Sequence, residues 1–115
     1  MSTKICTSIE QSKKLLSLGL DPNTADMFYN LGESQIPNVI YGCHEDFKCY
    51  LLAWSLTALL ELMPNGYSLG NRASKYYVCF THIKQENITE YTESVDAAFE
   101  AVCWLIKQGH IKVNK

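Results

Sequence analysis

The chain has 115 residues, of which 47% are hydrophobic and 19% are charged, a composition typical of one globular domain and unlike that of a disordered chain. Its length is sufficient for a buried core without metal or disulfide support, and we expect one domain over residues 1–115. Ten basic and twelve acidic side chains give a net charge of −2, which makes nucleic acid an unlikely main partner because binding to phosphates depends on a positive surface.

The compartment is predicted from apolar runs and cysteines. The N-terminal residues contain no apolar run of signal-peptide length, and the longest apolar stretches are too short to span a bilayer. The cysteines are odd in number and form no CxxC pair, which is typical of reduced thiols. We therefore expect a soluble, cytoplasmic protein with no membrane partner. The cysteines are Cys6, Cys43, Cys49, Cys79 and Cys103.

The first predicted element is a helix over about residues 8–18. Thr7 to Glu10 has the form of a capping box, in which the Thr7 side chain would bind the Glu10 amide and Glu10 would bind back. Gly19 is expected to end the helix.

Three strands are predicted before residue 53. They cover residues 24–29, 39–41 and 47–52, and the last two are expected to form a hairpin through residues 42–46. The period of two places Asp26 on the outer face of its strand, where we expect a solvated edge charge.

The densest apolar run, from Ala53 to Pro64, predicts a central helix over residues 55–63. Ser55 is its expected N-cap, and Trp54 before the cap can pack on Leu59 as a hydrophobic staple. Pro64 is expected to end the helix.

Two strands and a helix are predicted in the last half of the chain. The strands cover residues 67–69 and 75–83, with a turn at residues 70–72, and the second strand places Tyr77 and Cys79 on the face opposite Val78. Ser94 is expected to cap the helix, which covers residues 95–108 and is closed by Gly109. Trp104 lies opposite the apolar stripe of this helix, so either a second side is covered or the indole faces solvent or a partner.

No stretch predicts a catalytic site, a metal site or a cofactor-binding motif. Cys43, His44 and Cys49 are three possible zinc ligands within seven residues, but their spacing is not that of a zinc knuckle, and loop or buried cysteines are the favoured interpretation. Cys79 and His82 are close in sequence, but their odd spacing puts them on opposite faces of the predicted strand.

Seven tyrosines and two tryptophans indicate binding, because aromatic side chains are enriched at interfaces. They are also normal residues of a small sheet, which is the stronger interpretation. The residues that we predict for an interaction surface are Trp104, Tyr77, Trp54 and Glu61, the last two on the side of the central helix that faces away from the leucines.

Three stretches carry a resemblance to a known group of proteins: ICTSIEQSKKLLSLGLDPNTADM, AWSLTALLELMP and DAAFEAVCWLIKQG. Together they cover about half of the chain, and they resemble a family of small uncharacterised proteins encoded in prophages and other mobile elements of gut anaerobes. The family has no assigned activity, so the resemblance implies an intracellular, mobile-element setting and no functional residue.

These observations predict an α+β domain in which three helices pack on a small, mainly antiparallel sheet. The function that we expect is a non-enzymatic accessory or protein-interaction module, which binds either itself or a host or mobile-element protein. A small enzyme with a Cys/His site and a weak nucleic-acid binder are the alternatives.

Overall fold

The computed structural model describes residues 4–30, 37–39, 50–64, 66–80, 90–111 and 113. Three α-helices, one 3-10 helix (Pro22–Thr24) and five strands follow one another in these residues, and the strands are antiparallel to their neighbours, which confirms the predicted α+β class. The elements are α1 (Ile9–Ser17), β1 (Met27–Asn30), β2 (Pro37–Val39), β3 (Tyr50–Ala53), α2 (Leu56–Glu61), β4 (Tyr67–Arg72), β5 (Lys75–Phe80) and α3 (Ser94–Lys107).

The first sheet has three strands in the order β2-β1-β3. Met27 of β1 lies opposite Val39 on one side and Ala53 on the other, so both edges of β1 are paired. The predicted hairpin between residues 39–41 and 47–52 is therefore wrong: the described parts of those segments, β2 and β3, lie on opposite sides of β1. Residues 40–49, which include the proposed turn, lie outside the described residues.

The second sheet is a hairpin of β4 and β5. Arg72 pairs with Lys75, so the loop consists of Ala73 and Ser74, and both have positive φ angles, 52° and 66°. Two successive left-handed residues are the requirement of a type I′ turn. The predicted turn at residues 70–72 is wrong, because these residues continue β4.

The ends of α1 show which local signals the chain uses. Ser8 is the N-cap and forms the capping box with Gln11, one residue later than the predicted box that starts at Thr7. At the other end Gly19, with φ of 93°, donates to the carbonyl of Leu16, which confirms the predicted end of the helix.

The central helix α2 begins at the predicted cap. The Ser55 hydroxyl accepts a hydrogen bond from the Ala58 amide at 3.2 Å. Trp54 and Leu59 are both fully buried in the same apolar cluster, as the proposed staple requires. The last helix, α3, differs from the prediction by one residue, because Glu93 is the N-cap and Ser94 is the first helical residue.

Two apolar clusters hold the elements together. The larger lies between α1, α2, α3 and the inner face of β5, and the smaller is formed by β1, β3 and Cys6. Leu16 of α1 packs against both clusters, so α1 joins the hairpin side of the molecule to the three-stranded sheet. Within the described residues, no helix has the length and apolar character that crossing a bilayer requires.

Candidate interaction surface

The two faces of the β4–β5 hairpin have different surroundings. Val78 and Phe80 are buried against the larger cluster, whereas Tyr77 and Cys79 lie on the other side of β5, as the period of two predicted. Residues that are paired across the strands share a face. We call the side away from the cluster the hairpin face; it consists of Ser68, Gly70, Arg72, Lys75, Tyr77 and Cys79.

Tyr77 lies flat across its partner strand. A Cβ atom at the paired Gly70 would lie 2.2 Å from the Tyr77 Cζ atom and 2.4 Å from its hydroxyl oxygen. The absence of a side chain at Gly70 is therefore what allows the ring to cover β4. This glycine serves the packing of Tyr77, and it does not make a turn.

Two cations lie at the turn end of the hairpin face. Arg72 and Lys75 are directly opposite each other at the end of the hairpin, and both are exposed. The Arg72 guanidinium is 5.7 Å from the centre of the Tyr77 ring, within the range of a cation–π contact. None of the six residues of the hairpin face is acidic, so the side chains of this face carry a net positive charge on a chain of net charge −2.

The turn determines which backbone groups of β4 point away from β5. In a hairpin with a two-residue loop, the pair next to the loop exchanges hydrogen bonds, so the backbone groups of Tyr67, Leu69 and Asn71 point away from β5. The matching residue of β5, Tyr76, points outward as this register requires, and it exchanges bonds of 2.6 and 2.8 Å with Tyr91. Among the described residues, no strand pairs with the outer edge of β4.

Trp104 lies on the inner side of the hairpin. It is half-buried, and its ring is stacked 6.3 Å from Phe80 and 6.1 Å from His110, measured between ring centres. Of the two alternatives that the sequence left open for Trp104, the structure supports a helix that is covered on a second side. Tyr77 and Trp104 lie on opposite faces of β5, so they do not form one surface.

The other two predicted interaction residues also lie apart. Trp54 has no exposed surface, and its indole N–H donates to the Thr24 hydroxyl at 2.9 Å, so the prediction that Trp54 belongs to an interaction surface is wrong. Burial of the large apolar indole is favourable because its one donor, the N–H, is hydrogen-bonded. The position of Trp54 on a helical wheel therefore does not determine whether it is exposed. Glu61 is exposed at the end of α2.

Asp26 is not the solvated edge charge that its pattern predicted. Its carboxylate accepts hydrogen bonds from the Ser55 amide at 2.8 Å and from the Ser55 hydroxyl. Asp26 directly precedes β1, and Met27 pairs with Ala53, two residues before Ser55, so the strand register brings Asp26 to the start of α2. Asp26 therefore positions the residue that caps this helix.

Two of the three described cysteines have the environment of structural thiols. Cys6 and Cys103 are buried, and burial raises the pKa of the Cys6 thiol and raises the pKa of the Cys103 thiol to about 11. A raised pKa reduces the thiolate fraction that a nucleophile or metal ligand needs. Within the described residues, no group of three His, Cys, Asp or Glu side chains could hold a metal ion. Cys43, His44 and Cys49 lie outside this part of the chain.

Sequence reasoning predicted Tyr77 but missed Gly70 and Arg72. Placing the turn at residues 70–72 removed both from the strand, so their pairing with β5 was lost. Lys75, the first residue of the second strand, could have revealed that β4 extends to Arg72. A two-residue loop directly before Lys75 pairs it with Arg72, and Arg72 then lies on the same face as Tyr77.

Comparisons with protein-family models, with curated proteins and with solved structures found no match. The resemblance to mobile-element proteins therefore stays a prediction, and the function has to be inferred from the geometry of the chain.

Proposed function

We propose that this chain is a non-enzymatic protein-interaction module that self-associates through the outer edge of β4, with which no described strand pairs. The observation that carries the proposal is the outward-facing backbone of Tyr67, Leu69 and Asn71, in a run from Tyr67 to Asn71 that contains no charge and no proline. Exposed edges of this kind form hydrogen bonds with a second strand unless charges, prolines or bulges prevent it.

The edge is self-complementary when two copies meet antiparallel around Leu69. Tyr67 then lies opposite Asn71 of the partner subunit, and each outward-facing residue exchanges hydrogen bonds with the residue opposite it. The two Arg72 side chains lie at opposite ends of the interface, whereas a parallel arrangement would bring them together. Electrostatics therefore favours the antiparallel pair.

The side chains along the edge support the same arrangement. Tyr67 is 38% exposed in the described structure, and a neighbouring strand would cover part of its ring. Leu69 is half-buried against the larger cluster, so its strand is already held in place before a partner binds. A preorganised edge loses less conformational entropy on binding than a flexible segment does.

The test is the molar mass of the protein by light scattering on a size-exclusion column, over a range of concentrations. Asn71→Pro removes the outward-pointing N–H of residue 71 and leaves the hydrogen bonds between β4 and β5 in place. Gly70, the residue before it, is already extended, which is the conformation that a following proline requires. We expect a dimer for the wild type and a monomer for Asn71→Pro.

Asn71→Ala is the matched control, because it removes the same side chain and keeps the N–H. We expect it to remain a dimer, and circular dichroism should show that all three proteins are folded. A monomeric wild type at all concentrations, or a dimer of Asn71→Pro as stable as the wild type, would refute association through this edge.

A further inference from the structure

We infer that the hairpin face is a docking site for an acidic, extended segment of another protein. This goes beyond self-association and does not rest on it, because the hairpin face is formed by side chains perpendicular to the sheet and the β4 edge by backbone groups in its plane. The observations that carry it are the paired cations Arg72 and Lys75 and the ring of Tyr77 beside them.

The paired cations are unfavourable in the isolated hairpin. Like charges directly opposite each other across two strands are destabilising, and neither Arg72 nor Lys75 has an acidic neighbour on this face. A carboxylate placed between them would remove this repulsion and would accept charge-assisted hydrogen bonds, bidentate in the case of the guanidinium. The charge of this face is complementary to an acidic ligand.

The rest of the hairpin face suits an extended chain. The pairs Arg72 with Lys75, Gly70 with Tyr77, and Ser68 with Cys79 succeed one another at intervals of two residues, about 7 Å. An extended peptide presents every second side chain at the same interval. Because Tyr77 lies flat on Gly70, none of the six side chains of the hairpin face blocks the path from the cations along the strands.

A protein segment fits this face better than nucleic acid does. Affinity for a phosphate backbone comes from several cations in a row, and the hairpin face offers two at one end followed by neutral residues. A short acidic peptide requires only local positive charge.

The experiment measures the fluorescence anisotropy of a labelled peptide of about ten residues in which glutamate alternates with threonine, so that all carboxylates share one side when the peptide is extended. A peptide with lysine in place of glutamate and a labelled oligothymidine of equal length are measured in parallel. We expect saturable binding of the glutamate peptide alone, weakened by added salt.

The variants Arg72→Glu and Lys75→Glu should each weaken binding of the glutamate peptide at least about tenfold. Each creates an opposite-charge pair with the remaining cation, so both should stay folded. Lys13→Glu is the matched control, because it makes the same charge change at an exposed position of α1. It should leave binding nearly unchanged.

Three outcomes would overturn the proposal: no binding of the glutamate peptide at millimolar concentration, equal weakening by Lys13→Glu, or tighter binding of oligothymidine with the same dependence on Arg72. The last outcome would favour a nucleic-acid ligand. Asn71→Pro should bind the glutamate peptide as the wild type does, so failure of the dimer and failure of this site are separable.

Discussion

At the scale of single residues, the carboxylate of Asp26 positions the start of the central helix. It accepts from both the amide and the hydroxyl of Ser55, while that hydroxyl accepts from the Ala58 amide. Hydrogen bonds to a charged group contribute about 1.5 to 3 kcal/mol each, and Asp26 is partly buried. Because Asp26 is only partly buried, we expect the two bonds together to contribute less than their sum, and Asp26→Ala to lower the free energy of unfolding by about 2 to 3 kcal/mol in urea titrations.

Asp26→Asn keeps one acceptor oxygen and should lower the free energy of unfolding by about half as much as Asp26→Ala does. Asp21→Ala is a matched control, since Asp21 accepts one exposed amide, that of Asn23, at 3.0 Å, and its loss should cost about 0.5 to 1 kcal/mol. A loss below about 0.5 kcal/mol for Asp26→Ala would mean that the carboxylate behaves as a solvated edge charge after all.

At the scale of elements, the β4–β5 turn is built from residues that do not favour its conformation. Ala73 and Ser74 have positive φ angles that glycine and asparagine adopt at lower cost. We expect Ser74→Gly to raise the free energy of unfolding by about 0.5 to 1 kcal/mol, because relief of the left-handed strain exceeds the added flexibility of the unfolded chain. Urea or thermal unfolding measures this change.

Ser68→Gly makes the identical substitution in the same hairpin, at an exposed position inside β4. Glycine in the interior of a strand is unfavourable, so this control should lower the free energy of unfolding by about 0.5 to 1 kcal/mol. Changes of the same sign at both positions would contradict the assignment of the turn to residues 73 and 74.

How much of each element could be predicted depends on whether its signal is local. The helices could be placed to within one or two residues, because their caps and apolar periods lie within the helices themselves. The strand order could not be predicted, because β1 pairs with both β2 and β3, and these pairs join residues that are far apart in sequence. The hairpin turn was misplaced because Gly70 and Asn71 are typical turn residues, whereas Gly70 is required here by the ring of Tyr77.

The candidate site was predictable to a similar extent. Tyr77 could be placed on the outer side of β5 from the period of two. Arg72 could not be placed beside Tyr77 without knowledge of where the turn lies. The burial of Trp54 could not be predicted either, because a helical wheel does not show what covers a helix.

At the scale of the whole molecule, the segment before α1 connects elements that are distant in sequence. The Thr7 amide donates to the Trp54 carbonyl at 2.8 Å, and the Trp54 amide donates to the Thr7 hydroxyl at 3.1 Å. Lys4 forms an ion pair with Asp96 in the first turn of α3, at 2.6 Å. Through these contacts the segment from Lys4 to Thr7 joins the three-stranded sheet, α2 and α3. Substitutions that remove the contacts should therefore reduce the stability of the whole fold.

The stability of the whole molecule should also fall at alkaline pH, because several acidic protons are buried. Burial raises the pKa of the Cys103 thiol from 9.0 to about 11, and burial also raises the pKa of the Cys6 thiol and of the Tyr29 hydroxyl. The unfolded chain releases these protons at lower pH than the folded chain does. The free energy of unfolding is therefore fully retained below about pH 9 and decreases as the pH rises toward 11.

For Cys103 the pKa difference between 9.0 and about 11 corresponds to a loss of about 3 kcal/mol. The free energy of unfolding, measured with urea from about pH 8 to about pH 11, should decrease less steeply with pH for Cys103→Ala than for the wild type. The shortened side chain also lowers the stability of this variant, but by the same amount at every pH. Val102→Ala is the matched control, because it shortens another fully buried side chain of α3 that carries no titratable group, and it should keep the slope of the wild type. Equal slopes for all three proteins would show that the Cys103 thiol ionises as freely in the folded chain as in the unfolded one, and that it is not held in the core between α3 and its neighbours.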